Sequence, residues 1–415
     1  MDTEENAMPP SSDATPLVPR DTAKTHLGVL DGLRGAMALW VLGAHAAGAT
    51  GFTFPLLERP GTAVDIFMFI SGLLMAYHFR LREGAEPWHL PTTWCKFYIR
   101  RFFRIAPAYY LLLTTAFIFR AQLFGAFATI VSTYRPAGFP FPFVTPPLTW
   151  LDALSHYTFV FGLIPKYVND TCLPDWSISL EMQFYLAFPF IMLAYRRLSY
   201  FWATLLFLAS WVAANALFGV YVGSAPKLLG TFPQPSFLLL KLNCFIIGIL
   251  VAEALFWRSS NWPKATILFL GAFAVTLKGT SLVFQVACLL SCMVLLGAHW
   301  TTPAILGRLP FRRIVSFFAD TSYGVYLSHP FYMLPISTFL LRHPAYAQLP
   351  APAKFAVLML VVSTLCYPMA FLLFRFVETP GIAYGRRLIR TFHEKQAAKL
   401  SKERLRTSIA APAEF

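Results

Sequence analysis

Residues 30–48 read LDGLRGAMALWVLGAHAAG, and this stretch decides the class of fold. It reads as a helix across a bilayer, which takes roughly 20 predominantly apolar residues. Two ionisable side chains, Arg34 and His45, nevertheless lie inside it. Runs of similar character recur near 62–79, 105–122, 177–195, 200–221, 236–256, 263–278, 281–298, 322–341 and 355–376, giving ten candidate helices with the first. The composition agrees. Of 415 residues, 57% are hydrophobic and only 13% charged, whereas soluble domains carry about 25% charged residues. Such a balance excludes a disordered chain, a disulfide-built secreted domain and a coiled coil. The expectation is an all-α polytopic membrane bundle of about ten transmembrane helices, with the lipid bilayer as its surroundings.

The formal charge of +14 would suggest nucleic acid in a soluble protein. In a membrane protein it has a topological reading, because cytoplasmic loops collect Lys and Arg. Basic residues cluster in alternate loops: Arg20 and Lys24; Arg80 to Arg104; Arg196 and Arg197; Arg258 and Lys264; Arg308 to Arg313; and Arg386 through Arg406. The opposite loops hold mostly one each. Both termini are therefore expected in the cytoplasm, with no nucleic-acid partner. Residues 1–28 are polar, contain four prolines and read as a disordered tail; 29–385 form the membrane domain; 386–415 form a basic tail. Residues 123–176 make one long non-cytoplasmic segment, and its length suggests that it re-enters the membrane or covers a site. The six cysteines form no CxxC pair, so neither a disulfide framework nor a metal site is expected.

Ionisable residues inside spans are costly and are functional candidates by default. Arg34 and His45 are eleven residues apart, which at about 100° per residue places them on one helix face, about 16 Å apart along the axis. Taken singly, Arg34 reads as a snorkelling cation and His45 as an inter-helix hydrogen bond; sharing a face, they suggest a common polar channel. In the second run, GTAVDIFMFISGLLM (61–75), Asp65 stands near the outer end and Ser71-Gly72 midway. A carboxylate in reach of His45 would fix its tautomer, as in catalytic triads. The stretch KFYIRRFFRIAPAYY (96–110) interleaves basic and aromatic residues at the membrane surface. It reads either as a topological anchor or as phosphate-binding arginines, whose guanidinium forks suit that ligand. Ser177, Glu181 and Tyr185 recur every four residues and share a helix face. Further on, Tyr326 and His329 stand three apart before Pro330, and Glu378 sits near Arg375 and Arg386, either of which could pair with it.

LDGLRGAMALWVLGAH, GTAVDIFMFISGLLM, IRRFFRIAPAYY, WSISLEMQFYLAFP, TSYGVYLSHP and FVETPG together resemble, in this order, the signatures of the acyltransferase-three family of integral membrane proteins. The resemblance covers roughly residues 29–385. It implies a ten-helix bundle that transfers acyl groups, commonly acetyl from acetyl-CoA, to hydroxyls of sugars, lipids or natural products. The family's arginine–ten residues–histidine motif falls on Arg34 and His45, its two key functional positions. Its aspartate before serine-glycine falls on Asp65, Ser71 and Gly72, and its basic pair before proline on Arg101 and Arg104. Its tryptophan-serine-glutamate falls on Trp176, Ser177 and Glu181, and its late tyrosine and histidine on Tyr326 and His329. Thr379 departs from the arginine expected after Glu378. The polar tail and the absence of a fused hydrolase-like domain resemble fungal members that acylate secondary metabolites.

The expected reaction is acyl transfer from acetyl-CoA, or another acyl-CoA, to a hydroxylated acceptor. His45 is the general base; Ser71, Tyr326 or Ser177 supply donors to the developing oxyanion. Asp65 and Glu181 complete the expected catalytic set. Arg34, Arg101 and Arg104 would hold the acyl-CoA, and no metal is expected. A solute transporter using Arg34, His45, Asp65 and Glu181 as proton- or anion-coupling sites is the alternative, although no internal repeat favours it. A third reading, a membrane acyltransferase of another family that esterifies fatty alcohols, has no motif behind it.

Overall fold

A computed structural model describes residues 20–134, 147–220, 227–257, 260–276, 280–286, 288–289 and 309–392. The described residues are almost entirely helical. Helices α1 (Arg20–Gly48) and α2 (Pro60–Arg82) are followed by α3 (Pro91–Ile118), α4 (Arg120–Tyr134) and the short α5 (Trp150–Tyr157). Then come α6 (Trp176–Leu217), α7 (Leu238–Trp257), α8 (Trp262–Thr276) and α9 (Leu309–Leu341). A short α10 (Pro344–Ala347) leads into α11 (Ala351–Leu373), which passes through a π turn at Phe374–Glu378 and stays helical to Phe392. Two-residue strands, Gly219–Val220 and Thr231–Phe232, pair in parallel between α6 and α7.

Among the described residues, four helices are long and apolar enough to cross a membrane, or five when α3 and α4, bent by 77° to each other, count as one span. The ten expected runs are not all reached on this measure. Both α1 and α9 have the length but not the apolarity, because they carry the polar residues singled out above. The described part of α8, at 15 residues, is shorter than the roughly 20 that a span needs. The run at 281–298 lies largely outside the described residues, as do the tails 1–19 and 393–415. Two runs, 177–195 and 200–221, fall on α6, whose backbone leaves helical geometry at Ser199 (φ 68°, ψ 162°).

Two boundaries differ from expectation. The third helix starts at Pro91, a residue suited to a first helical turn, so the basic–aromatic stretch 96–104 is helix and not a surface loop. Residues 123–176 are no plain loop either. They contain most of α4, then α5, whose start is fixed reciprocally: the Asp152 amide donates to Thr149 Oγ1 while Thr149 N–H donates to Asp152 Oδ2. Arg120 reaches into this segment and donates to the Asp170 carbonyl.

Helix contacts are made close by small residues, as membrane bundles favour. A Cβ added at Gly72 of α2 would stand 2.2 Å from the Phe245 carbonyl oxygen of α7, and one at Gly248 equally close to that of Phe69. The serine-glycine pair thus marks the crossing of α2 and α7. At the same level Phe184 of α6 stacks on Phe245, centroids 4.0 Å apart. An ion pair missed in the sequence ties the far end of these helices. Arg80 donates to both oxygens of buried Glu253 at 2.8 and 2.7 Å, and to the Tyr200 hydroxyl at 2.8 Å.

Candidate active site

Among the described residues, two cavities hold the anticipated side chains. The smaller, of about 140 Å³, is lined by Arg34, Ser71, Arg101, Arg104, Ser177, Glu181, Tyr185 and Tyr326 among others. Helices α1, α2, α3, α6 and α9 thus deliver most of the anticipated residues to one place. Glu181 accepts from Ser71 Oγ at 3.1 Å and from the Tyr185 hydroxyl. Ser71 therefore spends its proton on Glu181 and not on an oxyanion.

The three arginines differ in their company. Arg104 Nη1 donates to Glu378 Oε2 at 3.1 Å, and that glutamate is wholly buried. Glu378 thus pairs with Arg104 and not with Arg375 or Arg386, because the π turn ending α11 packs beside α3. Arg34 stands 4.0 Å from Asp31. No ion pair ties Arg101 to a carboxylate among the described residues; its guanidinium lies 5.7 and 5.8 Å from the ring centroids of Phe97 and Tyr185. Its buried Nε has no hydrogen-bond partner.

The larger cavity, of about 1050 Å³, is lined by His45, Asp65, Lys241, Trp176 and His329, with residues of α4 and of 169–174 closing one side. The long segment thus lines this cavity. His45 Nδ1 lies 2.6 Å from His329 Nε2, and the two rings are tilted by 30° with centroids 4.9 Å apart. Asp65 was expected to orient His45, but its carboxylate is 2.7 Å from Lys241 Nζ. A buried carboxylate needs a charged partner, and α7 supplies one where α1 offers only a neutral ring. Sequence reasoning missed Lys241. Its signal was present, a lysine within the apolar LLLKLNCF.

Tyr326 and Val64 line both cavities. The Tyr326 hydroxyl is 2.7 Å from Ser177 Oγ and donates to the Pro174 carbonyl at 2.9 Å. Ser177 Oγ also reaches the Pro174 carbonyl, at 3.4 Å, so the two hydroxyls and that carbonyl form a closed hydrogen-bonded set along this wall. One step behind it lies a second buried group, outside the spans. Burial pushes the Asp175 carboxyl up to about 7, although hydrogen bonds from Thr171, its own backbone and Tyr109 favour the anion. Burial pushes His156 down to about 4. The His156 Nδ1 donates to the Asp152 carbonyl at 2.9 Å, so its Nε2, 3.8 Å from Asp175 Oδ2, carries a lone pair toward the acid. Among the described residues no group of three His, Cys, Asp or Glu side chains is placed to hold a metal ion.

Fold and site together define an integral membrane protein with two adjoining cavities, each set with charged and polar side chains, inside a helical bundle. A family model described as an acyltransferase domain matches residues 27–371, and the chain belongs to this acyltransferase-three family. No curated protein and no solved structure matches it. Membership makes the chain a membrane acyltransferase.

Proposed function

We propose that the chain is an acyl-CoA-dependent O-acyltransferase that moves an acetyl group to a hydroxyl of a natural product, lipid or glycan. The observation that carries this reading is the pair of cavities meeting at Val64 and Tyr326, one with three arginines and the other with His45. A pocket for an entire drug-sized ligand measures roughly 300–1,000 Å³. The arginine cavity, at about 140 Å³, accommodates an extended arm and leaves the nucleotide outside it. The orphaned Arg101 Nε suits an anionic ligand. The larger cavity has the volume for a bulky acceptor.

In this reading the phosphates of acyl-CoA bind at Arg34, Arg101 and Arg104 from the cytoplasmic side, and the thioester meets the acceptor hydroxyl beside Tyr326. His45 takes the hydroxyl proton as the acceptor oxygen bonds to the carbonyl carbon. The C–S bond then breaks, and the proton passes to the departing thiolate, giving ester and free CoA. Membranes carrying the protein, supplied with labelled acetyl-CoA and candidate alcohols, test it by the masses of the products. Label appears in an ester with the wild type and not with His45→Ala. Solute uptake into vesicles with no transfer of label would favour the transporter and end this reading.

A further inference from the structure

Nδ1 of His329 lies 3.1 Å from the Val325 carbonyl oxygen, one turn back along α9. A carbonyl oxygen only accepts, so the proton of the neutral ring is on Nδ1 and the lone pair on Nε2. That lone pair faces Nδ1 of His45 at 2.6 Å. One nitrogen of the pair must donate, and with both rings uncharged, as burial of two touching imidazoles favours, only His45 Nδ1 can. The proton of His45 is thereby fixed on Nδ1. Its Nε2 carries the free lone pair, has no hydrogen-bond partner among the described residues, and belongs to a ring that lines the larger cavity.

We infer that His329 is the positioning residue of the acyl transfer, holding His45 in the Nδ1–H tautomer so that Nε2 is the base. The inference rests on the function proposed above. It gives His329 the part that a carboxylate plays in a triad, with one difference. A neutral imidazole accepts the Nδ1–H bond without bringing a charge into the bundle. When His45 takes the acceptor proton on Nε2, the new imidazolium keeps its Nδ1–H bond to His329. A proton can be shared along that bond as far as His329 Nε2 and no further, since the Val325 carbonyl cannot take one, and the Nε2 proton of His45 passes to the departing thiolate.

Purified full-length protein with acetyl-CoA and an accepted alcohol tests this through His329→Gln and His329→Leu, with His45→Ala alongside. Gln offers an amide oxygen to His45 Nδ1–H; Leu fills similar space without an acceptor. The expected result is a fall in kcat on the order of 100-fold for His329→Leu, an unchanged KM for acetyl-CoA, and His329→Gln recovering at least about tenfold of that loss. Should His329→Leu not fold, as judged by thermal melting, His329→Met serves as the apolar variant. Equal kcat in the Gln and apolar variants, with His45→Ala inactive, would reduce His329 to packing and overturn the inference while leaving the proposed function standing. An active His45→Ala would remove the base, and the positioning role of His329 with it.

Discussion

Arg34, Arg101 and Arg104 share one cavity wall, yet their different partners give them different expected roles. Arg101 has no carboxylate among the described residues and keeps an unsatisfied Nε, so Arg101→Ala should raise the KM for acyl-CoA about tenfold with kcat near normal. Phosphate contacts remote from the reacting carbon act on ground and transition states alike. Arg104→Ala should behave otherwise, because it strands Glu378, whose side chain is 0% exposed. Breaking a buried pair costs about 3–5 kcal/mol, so the variant should melt lower, and the double variant Arg104→Ala/Glu378→Gln should recover much of the loss. Steady-state kinetics and melting curves check the two. At the larger cavity, His45→Ala should cost at least ~100-fold in kcat. His45→Gln, which hydrogen-bonds but takes no proton at neutral pH, should be nearly as poor; near-normal turnover would make His45 structural and send the search for the base to Asp65, Glu181 or His329.

Between elements, the crossing of α2 and α7 has no room for a side chain. Gly72→Ala should destabilise by about 1–3 kcal/mol through overpacking, whereas Gly84→Ala, with nothing within 4 Å, should leave the melting temperature unchanged. The segment between α4 and α6 makes a prediction in pH. Folded Asp175 holds its proton up to about 7 against an ordinary value of 3.8, so its contribution to stability falls as pH rises through that window. His156 titrates at about 4 instead of 6.5, so its contribution rises with pH over nearly the same range, and the two offset each other. Asp175→Asn removes only the first. Its melting temperature relative to wild type should therefore climb by several degrees between about pH 4.5 and about pH 7.5. A difference that stays flat with pH would mean that Asp175 is ionised throughout.

For the molecule as a whole, the proposed chemistry demands sidedness: arginines toward the CoA pool, His45 farther across. The topology we propose from the basic clusters has both termini and the Arg100 region in the cytoplasm, and residues 123–176 opposite. Cysteines introduced at 147–160 should accordingly react with an impermeant maleimide only from the lumenal or periplasmic face. Reaction of that segment from the cytosolic face alone would reverse the assignment. The long segment contributes residues 169–174 to the cavity that holds His45, so an acceptor of that face would meet it first.

Much was legible because it is local. Apolar runs of span length follow from the cost of leaving backbone and polar groups in lipid, and the spacing of Arg34 and His45 follows from helix geometry. The six motifs accordingly indicated the family and nearly every residue that lines the smaller cavity, whereas most of the larger cavity's wall, including α4, residues 169–174 and Lys241, lies outside them. Partnership was not legible, because it depends on how helices cross and rotate against one another. His45 and His329 meet across 284 residues of chain and Arg104 and Glu378 across 274, separations at which periodicity says nothing. Asp65 illustrates the difference: the sequence put a carboxylate in a span, which requires a partner, while only the packing of α2 on α7 decided that the partner is Lys241 and left His45 to His329.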